Sequence, residues 1–391
     1  MKFVLAPDSF KESMTAKEVC QAMENGIRKV LPDAKIISVP MSDGGEGTMD
    51  SLIDATNGQK YAVKVTEPLG TPVTAHYGIL GDQKTAIIEM AEASGLSYVP
   101  QDKRTPATIK KTTTFGTGEL INAALKHDVT RVIIGLGGSS TNDGGSGMAQ
   151  AIGVKFFDHN DHEITQKLGG GDLKQITRID TIDINPKIKK TKFLLASDVT
   201  NPLTGTNGAS YVFGPQKGAD QATAKELDEN LSHYAKIIGQ NIAQTPGSGA
   251  AGGLGAGLLA FTHAKIYPGV KLVANEVHLA EKIKEADYVF TGEGGTDFQT
   301  QFGKTPYGVA QIAKKYDVPV ISLAGYIGKG IDHLYDKGFT AIFGILAKAE
   351  NIDQALKDGP QNVERTTENV VRLIAKNKRM SKAHPELRPK N

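Results

Sequence analysis

The chain has 391 residues, 39% hydrophobic and 23% charged, with 45 basic against 43 acidic side chains, ordinary values for a soluble globular protein. A formal charge of +2 provides no electrostatic footprint for nucleic acid or an anionic membrane, and no stretch reaches the ~18 apolar residues of a membrane span. A single cysteine, Cys20, excludes an intrachain disulfide framework and fits a reducing cytoplasmic setting, while length alone argues for two or three domains at about 150 residues each.

The opening MKFVLAPDSFKE meets Asp8 too soon for a signal peptide, so KFVLA reads as a strand and PDSFKESM as a loop. A helix then starts at Thr15, with Glu18 three residues on in a capping-box pattern. Val19, Ala22, Met23, Ile27 and Val30 follow at helical spacing, and Cys20 among them reads as a small core residue. Strand KIISVP, loop MSDGGEGT and helix MDSLIDAT continue the rhythm of a parallel α/β sheet. From Tyr61 the stretch YAVKVTEPLGTPVTAHYGIL alternates between Pro and Gly punctuation and predicts hairpin strands. Helix GTGELINAALKHD, strand RVIIG and the glycine loop GGSSTNDGG follow, then a short helix. KFFDHNDHEI predicts a hairpin turning at Asn160 and Asp161, and KFLLASDV a strand. GSGAAGGLGAGLLAF is a second glycine-dense segment, open to either tight helix packing or a nucleotide-facing loop. Near the end, ADYVFTG, VPVISLAG and FTAIFGILA predict strands, and Thr305 and Pro306 read as N-cap and first residue of a helix. The fold class expected is α/β: a Rossmann-like parallel-sheet domain from residues 1–65 plus 283–378, an inserted second α/β domain with a mixed sheet over 66–282, and a flexible tail over 379–391. Ligands in such a fold are expected at the carboxyl ends of strands and between domains.

Five loops place acidic or hydroxyl groups just after a predicted strand. They offer Asp8, Ser9 and Lys11; Asp43, Glu46 and Thr48; Ser139, Ser140, Thr141, Asn142 and Asp143; Asp198, Thr200 and Asn201; and Glu293 and Asp297. In any one loop, glycine often only turns the chain and an aspartate only caps a helix. Five together argue for a ligand-handling set. Glycine amides form an anion nest, a helix start adds its positive end, and Mg²⁺ takes one or two carboxylates with phosphate oxygens and water. A small alcohol then needs a carboxylate base and a cation such as Lys11. Other signatures fail. FGKT at 302–305 lacks the P-loop glycine at position 298, which is Phe298, and GLGGSS is not the dinucleotide fingerprint. No Cys/His cluster supports zinc, and no kinase H-R-D or D-F-G set is present.

The segments APDSFKESMTA, PMSDGGEGT, GTGELI, IGLGGSSTNDGGSGMAQAIG, SDVTNPLTG, ASYVFGPQKGA, GAAGGLGAGL and TGEGGTD, with GKTPYGVA after it, keep one order from Ala6 to Val309. In these the chain resembles the bacterial glycerate kinase family of the glucarate/glyoxylate-pathway type. The resemblance implies ATP-dependent phosphorylation of D-glycerate with Mg²⁺, leaning towards 2-phosphoglycerate with 3-phosphoglycerate open. With the residue reading, it suggests that Gly137, Gly138, Ser139, Ser140, Thr141, Asn142 and Gly144 cradle ATP phosphates with Gly252 and Gly253. Asp8, Ser9, Lys11 and Glu46 would hold the acid, with Lys11 also catalytic. Asp43 or Asp198 would be the base, and Asp143, Glu293 and Asp297 would serve the metal. The chain departs from the family pattern G-E-G-R-[IL]-D, with Gly295 in place of the arginine and Thr296 in place of the aliphatic residue. A non-catalytic sensor of a small hydroxy acid is the alternative expectation. A nicotinamide-dependent oxidoreductase is opposed by the broken fingerprint. The partners expected are small molecules, with neither nucleic acid nor membrane, and the oligomeric state is left open.

Overall fold

The computed structural model describes residues 1–383. In chain order its strands are β1 (Lys2–Leu5), β2 (Lys35–Ser38), β3 (Gln59–Thr66), β4 (Pro72–Ile79), β5 (Thr85–Glu89), β6 (Arg131–Gly135) and β7 (Lys155–Phe157). They continue as β8 (Arg178–Asp180), β9 (Lys192–Ala196), β10 (Lys265–Tyr267), β11 (Tyr288–Thr296), β12 (Val320–Ile327) and β13 (Ala341–Gly344). The chain divides into two compact units, Met1–Asp43 with the chain from Val273 onward, and Gly44–Leu272.

In the first unit five parallel strands lie in the order β13-β12-β11-β1-β2. The winding reverses between β1 and β11: β1 continues outward to β2, and β11 the other way to β12 and β13. The carboxyl ends of these two strands therefore border a switch-point crevice, where open α/β sheets bind ligands. The helix Ala16–Arg28 begins with Thr15 and Glu18 in a reciprocal capping box, as its sequence predicts. Its buried stripe of Val19, Met23 and Ile27 joins Phe3, Leu5, Phe290, Val363 and Val371 in one core. Each large apolar side chain so buried contributes about 1.5–3 kcal/mol. Cys20 is a buried member of the same cluster.

The second unit is built on a six-stranded mixed sheet in the order β10-β9-β6-β5-β4-β3. β10, β9, β6 and β5 run parallel, and β4 and β3 form the antiparallel edge that the alternation from Tyr61 predicts. The sequence reading carries the first domain to residue 65 and resumes it at 283, whereas the compact division falls at Gly44 and Val273. The helix Thr48–Thr56 packs on β4 and β5, and β3 pairs with β4, so both lie with the mixed sheet. The KFFDHNDHEI segment is not a full hairpin: β7 pairs with β8, and the residues after the turn meet β7 only through a Phe157–Glu163 bridge. Of the flexible tail expected over 379–391, residues 379–383 belong to the helix Gly359–Ala383. Positions 384–391 lie outside the described residues.

Candidate active site

At the switch point of the parallel sheet, the backbone N–H of Asp8 donates to Gly292 O at 2.9 Å and the Thr291 hydroxyl donates to Ala6 O at 2.8 Å, fixing the loop after β1 against β11. The Asp8 carboxylate accepts from Ser9 N–H at 2.7 Å, Ser9 Oγ at 3.3 Å and Thr305 Oγ1 at 2.5 Å. Thr305 is the first residue of the helix Thr305–Lys314, whose N-cap is Lys304. The sequence reading made Thr305 the cap, but its hydroxyl is committed to Asp8 instead. Burial pushes the Asp8 carboxyl up to about 7, the negative charge of Asp43 adds to the rise, and the Thr305 hydrogen bond opposes it.

Glu293 sits on the other lip of this crevice. Its carboxylate accepts from Thr300 Oγ1 at 2.6 Å and Thr296 Oγ1 at 3.2 Å, and pairs with Lys304 Nζ at 3.0 Å. Lys304 also donates to Gly295 O at 3.1 Å. Burial raises the Glu293 pKa, opposed by these hydroxyls and the lysine. Asp297 is spent as a cap, accepting from Gln299 N–H at 2.8 Å. Lys11 is exposed and its side chain makes no ion pair among the described residues. Its backbone lies beside Gly294. A Cβ built on Gly295 would lie 2.1 Å from Tyr326 Cε1, so an arginine at this position would collide with that ring.

In the second unit the glycine loop leaves the end of β6. Gly137 and Gly138 are exposed, and the amides of Gly137, Gly138 and Ser139 donate to nothing among the described residues. Gly138 adopts a left-handed φ of 72°, the kind of turn in which successive free amides can receive an anion. Ser139, Ser140, Thr141, Asn142 and Gly144 are buried beneath them. Gly252 and Gly253 are brought to this loop, but as packing. Gly144 N–H donates to Gly252 O at 3.1 Å, and a Cβ on Gly252 would meet Thr141 O at 1.9 Å. The second glycine segment thus serves close backbone contact, the first of the two readings the sequence left open.

Asp143 is fully buried. Its Oδ2 accepts from Thr114 N–H at 2.8 Å, Thr114 Oγ1 at 2.7 Å and Gly147 N–H at 3.2 Å, and its Oδ1 from Gly145 N–H at 3.1 Å. These bonds tie the loop to the helix Phe115–Ala124 and leave Asp143 ill placed for the metal expected of it. Burial raises its pKa against those donors. Asp198 is exposed at the end of β9 and accepts from Gly269 N–H at 3.2 Å, and Glu46 is exposed before the helix Thr48–Thr56.

Two residues went unread in the sequence. Lys217 is 3% exposed and donates from Nζ to Ser139 Oγ and Thr141 O, both at 2.7 Å. Burial pushes its ammonium down to about 7, opposed by the charge of Asp143. Glu89, at the end of β5, accepts from Met49 N–H at 2.7 Å at the start of the helix Thr48–Thr56, and burial pushes it up to about 7. A lysine inside GPQKGA and a glutamate closing the strand TAIIE carry no local signal beyond their position, though an acid at a strand's carboxyl end was the rule applied to the other loops.

The first unit gathers carboxylates and a helix start at the switch point of its parallel sheet, and the second unit, taken by itself, sets a glycine turn with unbonded amides over a buried lysine at the end of β6, features in keeping with an α/β enzyme of anionic ligands. A family model for the Glycerate kinase family matches residues 3–375. The chain is 49% identical over 379 residues to a glycerate kinase of Halalkalibacterium halodurans, covering 96% of this chain and 98% of that one. It is 48% identical over 379 residues to the glycerate 2-kinase of Escherichia coli K12, with the same coverage. A crystal structure of a provisionally named glycerate kinase 2 from Salmonella typhimurium LT2 aligns with a TM-score of 0.87 at 44% identity, covering 97% of this chain and 99% of that one. The chain belongs to the glycerate kinase family.

Proposed function

We propose that this chain transfers the γ-phosphoryl group of ATP to D-glycerate, giving 2-phosphoglycerate. The observation that carries the reading is Asp8: a carboxylate at the sheet's switch point, desolvated to a pKa of about 7 and oriented by the Thr305 hydroxyl. A base with a pKa near the working pH combines the deprotonated form with useful proton affinity. Asp8 therefore takes the base role assigned from sequence to Asp43 or Asp198. It accepts the proton of the attacking hydroxyl as that oxygen bonds to the γ-phosphorus and the bond to the β–γ bridging oxygen breaks. Asp43 supports this role by raising the proton affinity of Asp8. Ser9 and exposed Lys11 face the acid's carboxylate. The free amides of Gly137, Gly138 and Ser139 receive phosphate oxygens, with Lys217 Nζ holding Ser139 Oγ and Thr141 O of the same loop.

Among the described residues no three His, Cys, Asp or Glu side chains form a ready-made metal cluster. Mg²⁺ commonly takes only one or two carboxylates and draws its other ligands from phosphate and water. Asp43 fits that need better than the buried Asp143 or the capping Asp297, leaving Asp8 as the base. When bound, the ion would neutralise phosphate charge. A cytoplasmic setting fits the single buried cysteine, and no helix among the described residues is long and apolar enough to cross a membrane.

The test is ADP release coupled to a spectrophotometric readout, with D-glycerate as acceptor and phosphorus NMR of the product. The expected result is glycerate-dependent ADP release and a 2-phosphate ester. Tight glycerate binding without ADP release would favour the sensor, and a 3-phosphate ester would move the attacking oxygen.

A further inference from the structure

Ser139 follows two exposed glycines, and its hydroxyl has one unusual neighbour, the amine of Lys217, 2.7 Å from its Oγ. The same Nζ donates to Thr141 O at 2.7 Å, which fixes the amine beside the serine. Lys217 closes the short turn Pro215–Lys217 and is buried. Desolvation lowers its pKa to about 7, with the charge of Asp143 opposing the fall. Much of the amine is therefore neutral just above neutral pH. The neutral form keeps an N–H for Thr141 O and turns its lone pair to the Ser139 hydroxyl. A hydroxyl within hydrogen-bond reach of a base that a third group orients is the arrangement of an activated nucleophile.

The backbone is held on both sides of Ser139. Leu96 N–H donates to Gly138 O at 2.7 Å, and Ser140 N–H donates to Ser94 O at 3.0 Å. The amides of Gly137 and Ser139 donate to nothing among the described residues. A nucleophile's own amide and the one two residues before it form a recurrent oxyanion hole. The approach is narrow. A Cβ on Gly137 would lie 3.3 Å from Gly45 Cα, and one on Gly138 would lie 3.5 Å from Ala91 Cβ. Glycine and alanine at this rim leave room for a small acyl group.

We propose that Ser139 and Lys217 form a nucleophile–base pair that hydrolyses small activated carboxylic esters, a second activity of this loop. Ser139 Oγ bonds to the carbonyl carbon as its proton passes to Lys217 Nζ, and the carbonyl oxygen takes up negative charge at the amides of Gly137 and Ser139. The ester C–O bond then breaks, and the Lys217 ammonium gives the proton to the leaving oxygen. Water, losing a proton to the same amine, opens the acyl-serine to the free acid, and that proton returns to Ser139 Oγ. Neither ATP nor glycerate takes part, so this activity stands or falls separately from the kinase reading.

Wild type, S139A and K217M, each without nucleotide, are treated with a biotinylated fluorophosphonate and with p-nitrophenyl acetate. S139A removes one hydroxyl and leaves Lys217 its Thr141 acceptor, and thermal midpoints check that each protein is folded. The expected result is fluorophosphonate on Ser139 of wild type, located by peptide mass spectrometry. Release of p-nitrophenolate should fall about 100-fold or more in both variants, within the range a positioned base supplies. No label, label on another residue instead, or S139A hydrolysing the ester within about threefold of wild type overturns the proposal. Labelling of Ser139 as fast in K217M as in wild type overturns Lys217 as the base. Should S139A not fold, the residue labelled in wild type and the labelling rate of K217M decide the assignment by the same criteria.

Discussion

Replacing Lys217 with methionine should make the protein more stable at pH 7 and less stable at pH 10. The lysine is buried, and its pKa is about 7 in the fold against 10.5 ordinarily. A shift of about 3.5 units corresponds to about 5 kcal/mol at 1.36 kcal/mol per unit. The sign follows from proton counts. Between pH 7 and 10.5 the unfolded chain holds the lysine proton and the folded chain does not, so stability rises with pH across that window. The penalty is nearly complete at pH 7, about 4 kcal/mol, and falls below about 1 kcal/mol by pH 10. Methionine removes the penalty but leaves the Ser139 hydroxyl and the Thr141 carbonyl without the donor they have now. Two unmet buried acceptors, at about 1 kcal/mol each, the low end for neutral groups, cost about 2 kcal/mol at any pH. K217M should therefore gain about 2 kcal/mol at pH 7 and lose about 1 kcal/mol at pH 10. Urea unfolding of both proteins at the two pH values reads this directly. A difference in midpoint that stays constant with pH would refute the desolvated lysine. The same variant should raise KM for ATP, since a bound phosphate would favour protonation of Lys217 beneath the free amides.

Thr305→Val removes the donor that holds the Asp8 pKa down, so the acid limb of the kcat/KM profile, expected at about pH 7, should move to higher pH. A limb that stays in place would dissociate Asp8 from the titration. Asp143→Asn keeps one oxygen for the donors of Thr114 and Gly147 but sets its amide N–H₂ against the Gly145 N–H, and should destabilise by about 1–3 kcal/mol. The folded fraction should show an unchanged Mg²⁺ requirement, whereas a large rise in the Mg²⁺ concentration needed for activity would restore Asp143 to the metal.

Much of this was legible because the signals are local. Thr15 and Glu18 announce a helix start three residues apart, and the alternation after Tyr61 announces an antiparallel edge. Acid-bearing loops after apolar runs marked Asp8, Asp43 and Glu293 before any coordinates. What was illegible is long-range. Lys217 becomes interesting only when folding brings it to Ser139, 78 residues away. That Gly295 leaves no room for an arginine shows only once β12 is registered beside β11 and the Tyr326 ring is seen against it. The motif D-G-G-x-G shows the limit from the other side. At Asp43 it closes the first unit's opening segment and raises the Asp8 pKa, while at Asp143 the same letters are sealed in a core and hold a loop. Burial, which no short motif encodes, separates the two roles.

The most direct measurement is the turnover of Asp8→Asn with D-glycerate and ATP. A positioned general base contributes about 10²–10⁴-fold, so kcat should fall by that factor while glycerate still binds within a few-fold of wild type. A kcat within threefold of wild type would contradict Asp8 as the base, and with it the switch-point crevice as the place where the hydroxyl is activated.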